Sequence, residues 1–184
     1  RSKELFQQEL KSIHQQIKTT TIHITHDFNE ALLLADRMGI MQNGEIVQVG
    51  TPEEVFQRPR SQFVAEFVGM ENIYKGEIID KNGEQYVSIA SIYIRVVTNL
   101  TGIVRAAIRP EDIIISQEKF ISSAQNSVSA RIIEIIPRGS VYKLVLDAGF
   151  TMTALVTRQA LEELNLESGK HVWAVFKATA VHVF

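Results

Sequence analysis

A chain of 184 residues, 45% of them apolar, is long enough for one large domain or two small ones, each with a core. Its formal net charge of −2 supplies no basic field to draw it to nucleic acid or acidic lipid, and neither partner is expected. The absence of cysteine removes disulfides and thiolate metal sites, no metal ligand set is expected, and neither a signal-peptide pattern nor an apolar run able to span a bilayer occurs.

Residues 3–17 place Phe6, Leu10, Ile13 and Ile17 on one helical stripe, which predicts a surface helix packed on a sheet. Ser2 is its expected cap, and Glu4 suits the positive end of the helix dipole. The β-branched run Thr20 to Thr25 predicts a buried strand. Asp27 then supplies an N-cap carboxylate with Glu30 three residues on, the spacing of a capping box, and Phe28, Leu32 and Ala35 follow on one helical face. His26 therefore stands where a strand gives way to a helix, a place where α/β folds present ligand-handling groups. His23, inside the strand, reads as a bystander. Two short strands, 38–42 and 45–49, flank the hairpin dipeptide Asn43-Gly44. Thr51 caps and Pro52 opens the next helix, which Pro59 ends. Ser61 starts another with Phe63, Val64, Phe67 and Val68 as its apolar side, and Gly69 stops it.

Taken in order, Ile22-His-Ile-Thr-His-Asp27, Ala35-Asp-Arg-Met-Gly-Ile40 and Gly44-Glu-Ile-Val-Gln-Val-Gly-Thr-Pro-Glu-Glu-Val-Phe56 resemble the C-terminal part of an ABC-transporter ATPase subunit, over roughly residues 1–70. The resemblance implies that His26 is the switch histidine, which contacts the γ-phosphate of ATP in the full-length protein. It also implies ATP and Mg as cofactors, membrane permease subunits as partners, and a cytoplasmic place on the inner face of the membrane. No Gly-x-x-x-x-Gly-Lys-Ser/Thr loop, no apolar strand ending in Asp-Glu and no Ser-Gly-Gly stretch occurs, so the Walker A, Walker B and signature motifs are all missing. The expectation is the trailing edge of a nucleotide-binding domain whose front half lies outside this chain, marginal alone and unable to hydrolyse ATP by itself.

From Glu71 the texture changes. Short strands are expected at 73–79, 85–89, 91–97, 103–109, 112–116, 128–136, 141–147, 150–156, 171–177 and 180–183, with a hairpin at Asn82-Gly83 and one helix capped by Thr157. The stretch repeats weakly: Asn72 to Gly76 answers Asn126 to Ala130, and Ala107-Ile-Arg-Pro-Glu-Asp-Ile113 answers Val175-Phe-Lys-Ala-Thr-Ala-Val181. Two related halves, about 71–120 and 121–184, forming barrels that exchange strands or pack side by side, fit this pattern. The fold class expected is an α/β remnant over 1–70 followed by an all-β, OB-like small-barrel domain over 71–184.

A tetrahedral dianion is held by converging N–H and O–H donors with a cation or two nearby. Ser123, Ala124, Gln125 and Asn126 offer a hydroxyl, an amide and backbone N–H groups before a strand, and Lys177, Ala178 and Thr179 offer an ammonium, a hydroxyl and more N–H groups between the last two strands. Ser123-Ala-x-Asn126, Leu146-Asp-x-Gly149, Thr153-Ala-Leu-Val-Thr-Arg158 and Phe176-Lys-Ala-Thr-Ala-Val-His-Val183 resemble the molbindin, or TOBE-type, domain. That resemblance implies molybdate or tungstate as a regulatory ligand at those seven residues, a homodimer through the C-terminal domain, and a domain that inhibits transport when it binds the anion. Arg109, in the Arg-Pro-Glu-Asp element shared by importer subunits, is a further candidate contact. The family usually carries arginine or another residue where Gln125 stands and glycine where Ala130 stands, and Met70-Glu71 replaces Ser-Ala before Asn72, so an equivalent first-half site is not expected. Two other readings remain: barrels serving as scaffold or protein-binding module in a sulfate, polyamine or sugar importer, and a nucleic-acid barrel. The latter needs a basic groove, whereas Arg95, Arg105, Arg109, Arg131 and Arg138 are spread among acids. A molybdate-responsive repressor would carry a helix-turn-helix in place of the switch-histidine segment.

Overall fold

The structure, a computed structural model, describes residues 2–120 and 122–184. The chain divides into two compact units, Arg1–Val68 and Gly69–Phe184. The roles expected of the Ser2 and Glu4 side chains lie outside the described residues.

The first unit opens with helix α1 (Ser2–Ile17), and residues 18–27 follow as irregular chain. The strand expected at 20–25 does not form: Ile22 and Ile24 are 89% and 92% exposed. A β-branched run becomes a strand only where another backbone pairs with it. The only ladder among the described residues of this unit is β1 (Met38–Gln42) with β2 (Glu45–Gly50), which pair with each other across the positive-φ residues Asn43 and Gly44. For the same reason the apolar stripe of α1 has no sheet beneath it, leaving Phe6 66% and Ile17 64% exposed.

Helix α2 (Phe28–Leu34) stacks Phe28 on Phe56 of α3 (Pro52–Gln57) at 5.5 Å and sets it edge-on to Phe67 of α4 (Gln62–Phe67) at 6.2 Å. Aromatic pairs at these separations favour offset and edge-on geometries, which fixes how the three helices meet. Thr51 and Glu54 close a reciprocal capping box on α3, and Ser61 caps α4. Buried Gln48 ties the loop between those helices, donating to the Arg58 carbonyl at 3.0 Å and accepting from the Arg60 N–H at 2.8 Å.

The second unit is two five-stranded antiparallel sheets that share one core. Its first half contributes β3 (Asn72–Lys81), β4 (Glu84–Ile89), β5 (Ile92–Arg95), β6 (Ile103–Ile108), a 3₁₀ turn (Pro110–Asp112) and β7 (Ile114–Ser116). The second half repeats the series as β8 (Asn126–Arg138), β9 (Val141–Asp147), β10 (Thr151–Thr157), β11 (His171–Phe176), a 3₁₀ turn (Ala178–Ala180) and β12 (His182–Val183), with the short helix α5 (Arg158–Glu163) after β10. Each half sends its last strand to the other: β7 pairs with β11, and β12 pairs with β6. Strand exchange, one of the two arrangements the repeat suggested, is the one adopted.

Two buried asparagines fasten the exchange. Asn72 donates to the Thr153 carbonyl at 2.9 Å and accepts from the Thr153 N–H at 2.6 Å, on β10 of the other half. Asn126 donates to the Arg95 carbonyl at 2.9 Å and accepts from the Arg95 N–H at 2.7 Å, on β5. One amide thus satisfies a donor and an acceptor of a foreign edge strand at each end. Gly76 lets β4 pass close to β3, because a Cβ there would stand 2.6 Å from the Ser88 carbonyl oxygen. Its counterpart Ala130 sits paired with Val172 inside β8 without a break. Strands expected from 112 and 180 begin later, at 114 and 182, because 3₁₀ turns occupy those positions.

Candidate functional site

In the first unit the chain turns sharply around His26. The Thr25 hydroxyl accepts from the Asp27 N–H at 3.0 Å and donates to Glu30 at 2.6 Å. Asp27 accepts from the N–H groups of Asn29 and Glu30 at 2.9 and 3.2 Å and capitalises on Lys3, whose ammonium lies 2.6 Å away. The expected capping box is therefore indirect: Asp27 caps α2, but Glu30 reaches Thr25 and Gln7 instead of the Asp27 N–H. The hydrogen bond from Lys3 holds the Asp27 carboxyl below the ordinary carboxylate range, and that from Thr25 does the same for Glu30. With both flanks pinned, the His26 imidazole stays exposed and has no hydrogen-bond partner among the described residues. His23 lies 3.6 Å from Glu30. An open depression of about 460 Å³ on this unit is lined by Lys3, Gln7, Asp27, Asn29, Leu32 and Leu33, none of them an expected anion ligand. No cluster of three His, Cys, Asp or Glu able to hold a metal occurs among the described residues.

In the second unit the two loops expected to meet do so. The carboxamide oxygen of Gln125 accepts from the Ala178 N–H at 3.1 Å, across 53 residues of sequence. The cause is the register: Asn126 pairs with Phe176 at the end of the β8–β11 ladder, so the next positions outward bring Gln125 and Lys177 opposite each other. Ser123, Lys177 and Thr179 are exposed, and none of their side-chain polar groups has a partner among the described residues. The Ala124 N–H is taken by the Ser122 hydroxyl at 3.1 Å. The two segments that this hydrogen bond joins thus carry two hydroxyls and an ammonium between them, residue types suited to an oxyanion.

Asn126 stands at this site but its amide is engaged with Arg95, so it braces the loop from behind. The Ser123-to-Asn126 pattern does not distinguish a brace from a ligand. Asn72 makes the matching bonds in the first half: both asparagines open a strand and bond an edge strand of the other half. Ser127 escaped the sequence reading: its hydroxyl is buried and without a partner among the described residues, which a serine inside a strand does not signal. Arg109 lies on the matching 3₁₀ turn of the first half, nearly buried and 4.0 Å from Glu111, with burial pulling its pKa down. The other arginines weighed for a nucleic-acid groove are partly engaged: Arg95 with Glu84 at 2.6 Å, Arg138 with Glu71 at 3.5 Å, and Arg131 with His171 at 3.1 Å.

Residues 122–183 match the TOBE domain family. The chain is 42% identical over 177 residues to the molybdate/tungstate import ATP-binding protein WtpC of Pyrococcus horikoshii, covering 96% of this chain and 50% of that one. It is also 42% identical over 106 residues to the spermidine/putrescine import ATP-binding protein PotA of Trichormus variabilis, covering 58% of this chain and 26% of that one. The chain thus spans about half the length of the molybdate/tungstate relative. Among solved structures, the cytoplasmic molybdate-binding protein ModG, crystallised with molybdate bound, is similar with a TM-score of 0.53 at 21% identity, covering 62% of this chain and 95% of that one. At that identity the likeness is one of fold.

Proposed function

For a chain that belongs to the family of ABC-importer ATP-binding subunits and carries a TOBE domain at residues 122–183, we propose a role as the rear part of such a subunit in a molybdate- or tungstate-type oxyanion importer. Its first unit then carries the switch histidine, His26, which contacts the γ-phosphate of ATP when the remainder of the nucleotide-binding domain supplies the phosphate loop and the magnesium ligands. Its second unit binds the transported oxyanion and pairs with a second copy, while the subunit works against membrane permease partners on the cytoplasmic face.

The observation that carries the anion reading is the hydrogen bond joining Gln125 to Ala178, because it brings the Ser123 loop and the Lys177–Thr179 turn to one place. There the Lys177 ammonium and the hydroxyls of Ser123 and Thr179 contact the anion, with the backbone N–H groups of Gln125 and Ala178 completing the shell and Ala124 lining it. Asn126 holds the loop in register. Anion bound between two such units favours one dimer geometry over another and so opposes closure of the ATPase halves. That inhibition requires the anion's affinity to differ between the two geometries.

Calorimetric titration of the chain with sodium molybdate tests the reading. Heat of binding and a raised melting temperature are expected for the wild type. Lys177→Ala is expected to weaken binding about 10- to 100-fold, the worth of one charge-assisted hydrogen bond, without lowering the anion-free melting temperature. No heat and no melting shift in the wild type would remove the sensor role. The likeness to a polyamine importer subunit favours a second reading, in which the barrels are scaffold or a protein-binding module. Under it, Lys177→Ala with Ser123→Ala leaves everything but local stability untouched.

A further inference from the structure

We infer that Gln125 is an internal competitor for the oxyanion: its carboxamide occupies the Ala178 N–H until an anion displaces it, and so sets the affinity of the site. This rests on the anion reading above and assigns one residue in it a distinct role. Three observations lead here. First, the donor at the centre of the two converging segments is already used, at 3.1 Å, by a side chain and not by strand pairing. The acceptor must be the carboxamide oxygen, since the Gln125 Nε2 is itself a donor and cannot face an N–H. Second, Gln125 is exposed while the atom it covers belongs to a buried residue, so the side chain lies over the Ala178 amide from the solvent side. An exposed glutamine holds such a position at the cost of rotamer freedom and can leave without disturbing the core. Third, Ser127 follows two residues later at the start of β8, and its buried hydroxyl has no partner among the described residues.

The first half supplies a natural control. Its matching turn begins Arg109-Pro110, and proline has no N–H to cover. The residue matching Gln125 is Glu71, which instead accepts from Lys143 and pairs with Arg138 at 3.5 Å. A cap of this kind therefore exists only in the half that presents a free-standing N–H.

A neutral hydrogen bond given up on binding lowers apparent anion affinity by about two- to tenfold. Titration of the full chain with sodium molybdate is then expected to show Gln125→Ala binding about two- to tenfold more tightly than the wild type. Gln125→Glu, which keeps the acceptor and adds a negative charge, is expected to bind more weakly than the wild type. Hydrogen exchange at the Ala178 amide gives a readout independent of affinity: protected in the anion-free wild type, faster in anion-free Gln125→Ala, and protected again in that variant on adding molybdate. Equal affinities of the wild type and Gln125→Ala overturn the inference while leaving the anion site standing. Weaker binding by Gln125→Ala also overturns it, because the carboxamide would then be a ligand. Absence of binding by both proteins removes the anion reading itself, and this inference with it.

Discussion

Replacing Asn126 by alanine separates bracing from ligation at the candidate site. The wild-type amide is 4% exposed and satisfies both backbone groups of Arg95, at 2.7 and 2.9 Å. Truncation removes two hydrogen bonds and strands a partly buried N–H and C=O on β5, each costing about 1–3 kcal/mol when left without a partner. Partial access of water to the Arg95 backbone brings the sum to about 2–4 kcal/mol. For a unit of this size that corresponds to a fall in melting temperature of roughly 10 °C. The chain has a single tryptophan, Trp173, on β11 and paired with Ser129 of β8. Its fluorescence therefore follows the second unit and is blind to local fraying of the first. Urea and thermal unfolding followed by Trp173 check the figure. A loss below about 1 kcal/mol, accompanied by abolished molybdate binding, would refute the reasoning and make Asn126 a ligand.

Two further changes probe the units separately. Gly76→Ala places a Cβ 2.5 Å from Val87 Cγ2 and 2.6 Å from the backbone oxygen of Ser88, and only the first can rotate away. A loss of about 2–3 kcal/mol by Trp173-monitored unfolding is expected, and a neutral effect would mean that β3 and β4 are not so close. Thr51→Ala opens the capping box of α3 by removing the acceptor for the Glu54 N–H. About 1 kcal/mol should be lost from the first unit, seen by far-ultraviolet circular dichroism and not by Trp173.

The elements whose causes are local were readable from sequence. Asn43-Gly44 and Asn82-Gly83 turn with positive φ at both residues, as hairpin dipeptides demand, and Thr51-Pro52 opens a helix because cap and proline act within one turn. What failed depends on partners that sequence spacing does not reveal. Thr20 to Thr25 has the composition of a strand and no ladder to join, and the apolar stripe of α1 has no sheet to cover. At the candidate site the residue types were legible and their division of labour was not. Asn126 bonds Arg95, Gln125 bonds Ala178, and the Ser127 hydroxyl is buried, distinctions set by which edge strand crosses over and by where the two segments meet.

The two halves present the same turn with different chemistry at the two ends of the domain. Their 3₁₀ turns match in backbone conformation: Arg109 and Lys177 precede them at φ −74° and −75°, and each turn closes with a 3.1 Å hydrogen bond back to that residue's carbonyl. Shape is thus conserved while chemistry is exchanged. On the first turn Glu111 and Asp112 stand beside Arg109, so the one cation faces two acids that would repel a dianion. On the second, Thr179 and Ala180 occupy those places and leave the Lys177 charge unopposed by its own turn. The N–H of Ala178 is replaced by the imide nitrogen of Pro110, and the neutral Gln125 by the anionic Glu71, already bound by Lys143. Four substitutions at matched positions all act in the same direction, each removing a donor or adding negative charge in the first half. On the proposed anion reading, the first half is the end disfavoured for a dianion, and binding there would require Glu111 and Asp112 to give up their charge.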